Sequence, residues 1–134
     1  MSSTTCSSRV MEEVLKVGGF ATKANSIDVV DGTITTEQLA VRDFLLSFCD
    51  SLNNEVNSKD VLPKKLQTPF LKELNKLRHH IEDIRSIKLF AERQKNAFSI
   101  LYVYSLPFGE KLKNEIFDYQ CTESYRNTIR SLAA

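Results

Sequence analysis

The side chains best suited to chemistry in this sequence are two histidines and three cysteines, and their spacing does not form a site. His79 and His80 are adjacent, so on a helix they point about 100° apart, whereas histidines that share a metal prefer positions i and i+4. Cys6, Cys49 and Cys121 lie far apart, without the spacing of a zinc site or a disulfide framework. The sequence also lacks phosphate-cradling glycine loops and the GxSxG turn of hydrolases. We therefore predict a protein without enzymatic activity, metal or cofactor.

Charged side chains are distributed unevenly, and the middle of the chain is basic. Residues 61–96 hold nine Lys or Arg and four Asp or Glu, whereas residues 1–60 hold five and nine, although the net charge is only +1. Such asymmetry is typical of a binding surface for an anionic partner. The solvated faces of amphipathic helices would give the same pattern. The candidate binding residues in the basic segment are Lys72, Lys76, Arg78, Arg85 and Lys88.

An acidic protein or peptide is the partner that this basic segment fits best. A nucleic-acid surface would combine clustered charge with exposed aromatic rings and a pI above about 9. Here the pI is 7.7, Phe70 and Phe90 fall on apolar stripes, and Glu82 and Asp83 dilute the basic charge. Nucleic-acid binding through residues 64–95 is therefore the alternative to protein–protein interaction.

The element that must position these residues is a strongly apolar helix predicted for Thr36–Val56. Its apolar arc is much wider than about 100°, which indicates a helix covered on most sides. Thr35 or Thr36 can cap its first turn, where Glu37 complements the helix dipole. Cys49 is predicted to be a core side chain, since a reactive thiol needs an exposed, electropositive setting. The arc consists of Val41, Phe44, Leu45, Phe48, Cys49, Leu52 and Val56.

A second helix is predicted after a connector at residues 57–67. Thr68 and Pro69 have the pattern of an N-cap followed by the first helical residue. Apolar residues then recur at alternating spacings of four and three, for too short a stretch to form a sustained coiled coil. We expect this seam to pack against the first helix, and a homodimer seam is the alternative. The seam residues are Phe70, Leu74, Leu77, Ile81 and Ile84.

The rest of the chain is also predicted to be helical. One unbroken helix from Phe70 to Leu106 would be about 55 Å long, which is too long for a domain of this size, so we expect a break near Ile84–Ile87. The turn Pro107-Phe108-Gly109 precedes a helix that begins near Glu110. A shift in the phase of the apolar residues near Thr122 predicts a short final helix.

The first 35 residues carry weaker signals. Residues 1–8 are rich in Ser and Thr and are expected to form a disordered tail. A short amphipathic helix is predicted from Arg9 to the Gly18-Gly19 pair, because glycine often ends a helix. β-Prone residues on both sides of Asp31-Gly32 favour a hairpin or loop at residues 27–35.

The same stretch also resembles a calcium-binding motif. The sequence DGTITTEQL at Asp31–Leu39 is similar to the second half of an EF-hand loop that runs into its exit helix. With Gly32 as the central glycine, Ile27 and Val29 occupy carboxylate positions, and Gln38 replaces the bidentate Glu. Because Ca²⁺ needs about six to eight oxygen ligands, the resemblance implies a degenerate, structural helix–loop–helix.

Together these features predict an all-α fold, a compact single-domain bundle of five to six helices over residues 9–134. No apolar run reaches the roughly 18 residues of a membrane span, and the N-terminus lacks an apolar signal-peptide segment. The odd, widely spaced cysteines indicate a reducing compartment, the cytoplasm or the nucleus. The expected protein is a non-enzymatic protein–protein interaction module of adaptor or regulatory type.

Overall fold

The computed structural model describes residues 32–58 and 61–133, and within them the chain forms five α-helices joined by short links. Helical residues make up 86% of these positions and no strand occurs among them, which confirms the all-α bundle. The tail predicted at residues 1–8 and the helix predicted from Arg9 lie outside the described residues. The elements are α1 (Thr36–Ser58), α2 (Lys64–Glu82), α3 (Ile87–Ser105), a 3-10 turn (Leu106–Phe108), α4 (Glu110–Gln120) and α5 (Glu123–Ala133).

Helix α1 is the centre of the core, as its wide apolar arc predicts, and α2, α3 and α5 all pack against it. A reciprocal capping box closes its start: Thr35 N–H donates to Gln38 Oε1 at 2.9 Å, and Gln38 N–H donates to Thr35 Oγ1 at 3.1 Å. Gln38 is buried, so the position that an EF-hand would give to its bidentate Glu serves the cap. Phe44 is half-buried, and the fully buried members of the arc are Val41, Leu45, Phe48, Cys49, Leu52 and Val56.

Helix α2 begins at Lys64, so the N-cap predicted at Thr68 is wrong. The N-cap is Pro63, whose carbonyl accepts hydrogen bonds from the N–H groups of Leu66 at 2.8 Å and Gln67 at 3.2 Å. Proline suits this position because its fixed φ is already close to the helical value. The sequence pattern predicted a helix start at Pro69, whereas the helix begins directly after Pro63.

Helix α1 ends at Ser58 and helix α2 begins at Lys64, so the connector predicted at residues 57–67 is too long. Pro69 lies inside the helix, where its missing N–H removes one hydrogen bond and costs about 3 kcal/mol in an exposed helix interior. Leu62 and Leu66 are buried beside the added turn, and each contributes roughly 1.5–3 kcal/mol. Their burial offsets the internal proline.

The seam of α2 is buried within the chain, against α1 and α3. All five seam side chains are 0–3% exposed. Phe70 also contacts aromatic rings of later elements, with ring centroids 5.0 Å from Tyr104 and 6.0 Å from Phe108. The seam is thus filled by contacts within the chain, as expected, and the homodimer alternative stays a prediction.

The predicted break near Ile84–Ile87 is a tight link between α2 and α3. Ser86 caps α3, and its Oγ accepts a hydrogen bond from the backbone N–H of Leu89 at 3.2 Å. Arg42 of α1 reaches this link and donates from Nη1 to the Ile84 carbonyl at 3.2 Å. The span from residue 64 to residue 105 is therefore two packed helices with a fixed link.

The stretch that precedes α1 also contacts this link. Ile87 N–H donates to the Gly32 carbonyl at 3.0 Å, and Thr33 pairs with Ser86 in an isolated antiparallel bridge. The first half of the hairpin predicted at residues 27–35 lies outside the described residues. Within the described part, Thr33 pairs with the α2–α3 link.

The C-terminal third follows the predicted pattern. The turn at residues 106–108 ends at Gly109, whose φ of 100° lies in the region that favours glycine. Thr122 caps α5 by accepting a hydrogen bond at Oγ1 from Tyr125 N–H at 3.2 Å, which confirms the break in phase there. Within the described residues, no helix has the length and apolar character needed to cross a membrane.

Candidate functional site

The five candidate binding residues occupy different surroundings along α2 and the start of α3. Lys76 and Arg85 line one open cleft. Lys72 and Lys88 are exposed and do not line it, and Arg78 is turned toward α1. The structure therefore brings together two of the five side chains.

This cleft lies where α2 ends and α3 begins, and it has a volume of about 550 Å³. The side chains of Lys76 and Arg85 are 55% and 79% exposed, so both present their charge to solvent. Lys76 Nζ lies 3.1 Å from Oε2 of Glu73, which does not line the cleft. The residues that define the α2–α3 cleft are Lys76, His79, His80, Glu82, Asp83, Arg85 and Arg93.

Arg78 joins α1 to α2 instead of lining the cleft. Its Nε lies 3.1 Å from Asp50 Oδ1, and its Nη1 lies 2.8 Å from Glu82 Oε2. The hydrogen bond with Asp50 is the main cause that raises the pKa of Arg78 above its ordinary value. Two carboxylates of the same chain thus take up the donors of this guanidinium.

Both carboxylates of the cleft are held by cationic or basic side chains. Glu82 contacts Arg78 through Oε2, and its Oε1 lies 3.1 Å from His79 Nδ1. Asp83 lies 3.4 Å from Arg93 Nη1 through Oδ2, and 3.8 Å from Arg85 Nε through Oδ1. The last contact is long, and Arg85 is mostly exposed. Its guanidinium therefore has donors available for an external group.

Two arginines fix the backbone beneath the cleft. Arg93 Nη1 donates to the His80 carbonyl at 2.8 Å, and this arginine side chain is only 20% exposed. The carbonyl belongs to the last turn of α2, where unpaired carbonyls and the helix dipole attract positive charge. Arg42 makes the corresponding contact with the Ile84 carbonyl one turn further on. The α2–α3 link is thus held from both α1 and α3.

Both histidines of the chain lie in the lining, although the sequence suggested them only as unsuitable metal ligands. His79 is mostly exposed beside Glu82. Burial lowers the pKa of His80 below its ordinary value, Arg93 lowers it further, and Asp83 opposes the shift. Their position in the last turn of α2 is the one sequence signal that could have placed them here, because basic side chains complement that helix end.

Other groups with catalytic chemistry are buried or lie apart. Burial raises the pKa of the Cys49 thiol to about 12, so it stays protonated at neutral pH, and its predicted place in the core is confirmed. Burial also raises the pKa of Tyr104. Within residues 32–58 and 61–133, no three His, Cys, Asp or Glu side chains are close enough to hold a metal ion.

A second depression, of about 460 Å³, lies between the start of α1 and helix α5. Its lining is made of short polar side chains with a single carboxylate and no Lys or Arg. It therefore differs in character from the α2–α3 cleft, where charged groups converge. Its lining residues are Thr35, Glu37, Ser124, Asn127, Thr128 and Ser131.

Comparison with known proteins gives no relative from which a role could be transferred. No protein-family model matches the chain, and neither a curated protein nor a solved structure matches it. A helical bundle by itself does not specify a function, because this architecture supports many. A role for this protein must therefore be inferred from the side chains of the α2–α3 cleft.

Proposed function

We propose that this helical bundle is a non-enzymatic protein–protein interaction module of adaptor or regulatory type, and that its α2–α3 cleft binds an acidic segment of a protein partner. The observation that carries the proposal is how the charged side chains of the cleft are paired within the protein. Both cleft carboxylates are already held by side chains of the same protein. Lys76, which pairs with Glu73 at 3.1 Å, and Arg85, whose contact with Asp83 is long at 3.8 Å, are themselves largely exposed. An incoming carboxylate therefore meets net positive charge.

The shape of the cleft supports a protein partner over a small molecule. Small-molecule sites are usually enclosed and lined by apolar side chains, whereas this cleft is open and lined by charged ones. Arg85 can grip a carboxylate through two parallel N–H donors, and Lys76 adds a point charge. We place the interaction in the cytoplasm or the nucleus because the cysteines of the sequence are odd in number and widely spaced.

Nucleic acid fits the same region less well. Phe70 and Phe90 are fully buried, so neither ring can stack on a base. The dependence of affinity on salt separates the two classes, because binding through many phosphate contacts weakens steeply as salt is added.

The test is a binding measurement by fluorescence anisotropy with a labelled Glu-rich peptide, a peptide with Gln at every Glu position, and DNA of similar length. We expect the Glu-rich peptide to bind, and the double variant Lys76→Glu/Arg85→Glu to bind it roughly tenfold more weakly. An exposed ion pair contributes about 0.2–1 kcal/mol, and each charge reversal adds repulsion to that loss.

The matched control is Lys111→Glu/Arg126→Glu, which makes the same charge change at exposed positions on α4 and α5, outside the cleft. It should keep the wild-type affinity. Unchanged peptide binding by the Lys76→Glu/Arg85→Glu variant would overturn the assignment of the cleft. Binding of DNA in preference to the Glu-rich peptide would favour the nucleic-acid alternative.

A further inference from the structure

We infer that the α2–α3 cleft binds its acidic partner more tightly as the pH falls from about 7.5 to about 5.5, because its two histidines then add positive charge at the contact. The inference rests on the proposed function and adds a mode of regulation to it. Its basis is the placement of the histidines, the carboxylates and the exposed cations in one cleft.

The first observation is where the histidines lie. The chain contains two histidines in 134 residues, and both line the same cleft. Histidine is the side chain whose charge ordinarily changes between about pH 5 and pH 8. The histidine charge that this protein gains on mild acidification is therefore concentrated at one place on its surface.

The second observation is the small charge of the cleft when both histidines are neutral. Lys76, Arg85 and Arg93 provide three positive charges, and Glu82 and Asp83 provide two negative ones, so the formal sum is 3 − 2 = +1. Protonation of both histidines raises this sum to +3. Glu side chains of a partner stay ionised down to a pH near 4.3, so attraction increases over the whole interval.

The third observation is what surrounds each histidine. His79 Nδ1 lies 3.1 Å from Glu82 Oε1 on the same helix, and α3 contributes Arg93 to the same lining. A proton on His79 strengthens the existing pair with Glu82, which leaves that carboxylate less able to repel a partner. The acidic group of α1 near this helix end, Asp50, is already held by Arg78.

His80 is the weaker contributor of the two. Burial and Arg93 lower the pKa of His80, so its charge appears further toward acid. Asp83 opposes that shift from within the cleft.

The test measures the affinity of the full-length protein for the Glu-rich peptide at about pH 7.5 and about pH 5.5, at constant ionic strength. We expect the wild type to bind roughly two- to fivefold more tightly at the lower pH for each charge gained. His79→Gln should lose part of this gain, and the histidine-free variant His79→Gln/His80→Gln should show none. His79→Arg carries a fixed charge and should bind more tightly than the wild type at the higher pH.

The outcomes separate this inference from the proposed function. A gain in affinity that persists in the histidine-free variant would overturn the inference, because other groups would then cause it. A wild-type affinity that does not change with pH, together with weaker binding by Lys76→Glu/Arg85→Glu, would also overturn it and leave the proposed function intact. Absence of peptide binding at both pH values would remove the proposed function itself. Circular dichroism at both pH values establishes that each variant compared is folded.

Discussion

The two faces of helix α2 differ in how far the local sequence determines their contacts. The inner face is the apolar seam, which is buried against α1 and whose period can be counted along the sequence. The outer face at the C-terminal end of α2 lines the α2–α3 cleft. Arg93 of α3 fixes this end by donating a hydrogen bond to the carbonyl of His80, thirteen residues earlier in the chain. Packing in this protein thus follows a local pattern, whereas the candidate site depends on how two helices meet.

The largest effect is expected from the inner face. Phe70→Ala should lower the free energy of unfolding by about 3–5 kcal/mol, because it empties a fully buried volume between two aromatic rings. The matched control is Phe117→Ala, since that ring is 49% exposed and contacts Tyr102 at an edge, and its cost should be below about 1 kcal/mol. Urea denaturation measures both. Equal losses would contradict the assignment of the core.

A smaller effect is expected where the outer face meets the backbone. Arg93→Gln should cost roughly 1–2 kcal/mol, because the His80 carbonyl loses a charged donor at the end of α2. Lys95→Gln is the control, at an exposed position two residues further along α3. Thermal unfolding of the two variants compares them. If Arg93→Gln were as stable as Lys95→Gln, the link would not depend on this contact.

The cap of α1 should contribute slightly less. Thr35→Ala removes the acceptor for Gln38 N–H and should cost about 1 kcal/mol. Thr36→Ala changes the neighbouring exposed threonine and should have little effect. Denaturant midpoints for this pair would show which threonine caps the helix, since the sequence allowed either one. A larger loss of stability for Thr36→Ala than for Thr35→Ala would show that Thr36, and not Thr35, caps the helix.

The smallest effect on stability is expected for the charges proposed to bind. Arg85→Gln should change the free energy of unfolding by less than about 0.5 kcal/mol, because its contact with Asp83 is long and exposed. The same substitution should weaken binding of the Glu-rich peptide several-fold. A loss of stability comparable to that of Arg93→Gln would mean that Arg85 has a structural role.

Much of the fold could be predicted because helical period and turn residues act locally. The wide arc of α1, the break before Ile87 and the turn before Glu110 all follow from residues within a few turns of one another. The start of α2 could not be predicted in this way. Pro63 and Pro69 both allow a helix to begin, and burial of Leu62 and Leu66 decides between them.

The candidate site was predictable only in part. The basic segment contained Lys76 and Arg85, but no local pattern distinguishes them from Arg78, whose charge is used to hold α1. From the sequence, His79 was interpreted only as an unsuitable partner for His80 in a metal site. Its place in a shared cleft depends on α3 folding back along α2, which brings Arg93 next to the last turn.

The proposed binding of an acidic segment in the α2–α3 cleft is tested most directly by an NMR titration of the ¹⁵N-labelled protein with the Glu-rich peptide. Amide shifts should be concentrated at the cleft-lining residues between 76 and 85 and at residue 93, with little change at Phe70 and Leu74 of the buried seam or in the depression beside α5. These shifts should vanish in the Lys76→Glu/Arg85→Glu variant. Shifts that are centred on α4 or α5, and that persist in the Lys76→Glu/Arg85→Glu variant, would contradict binding in the cleft.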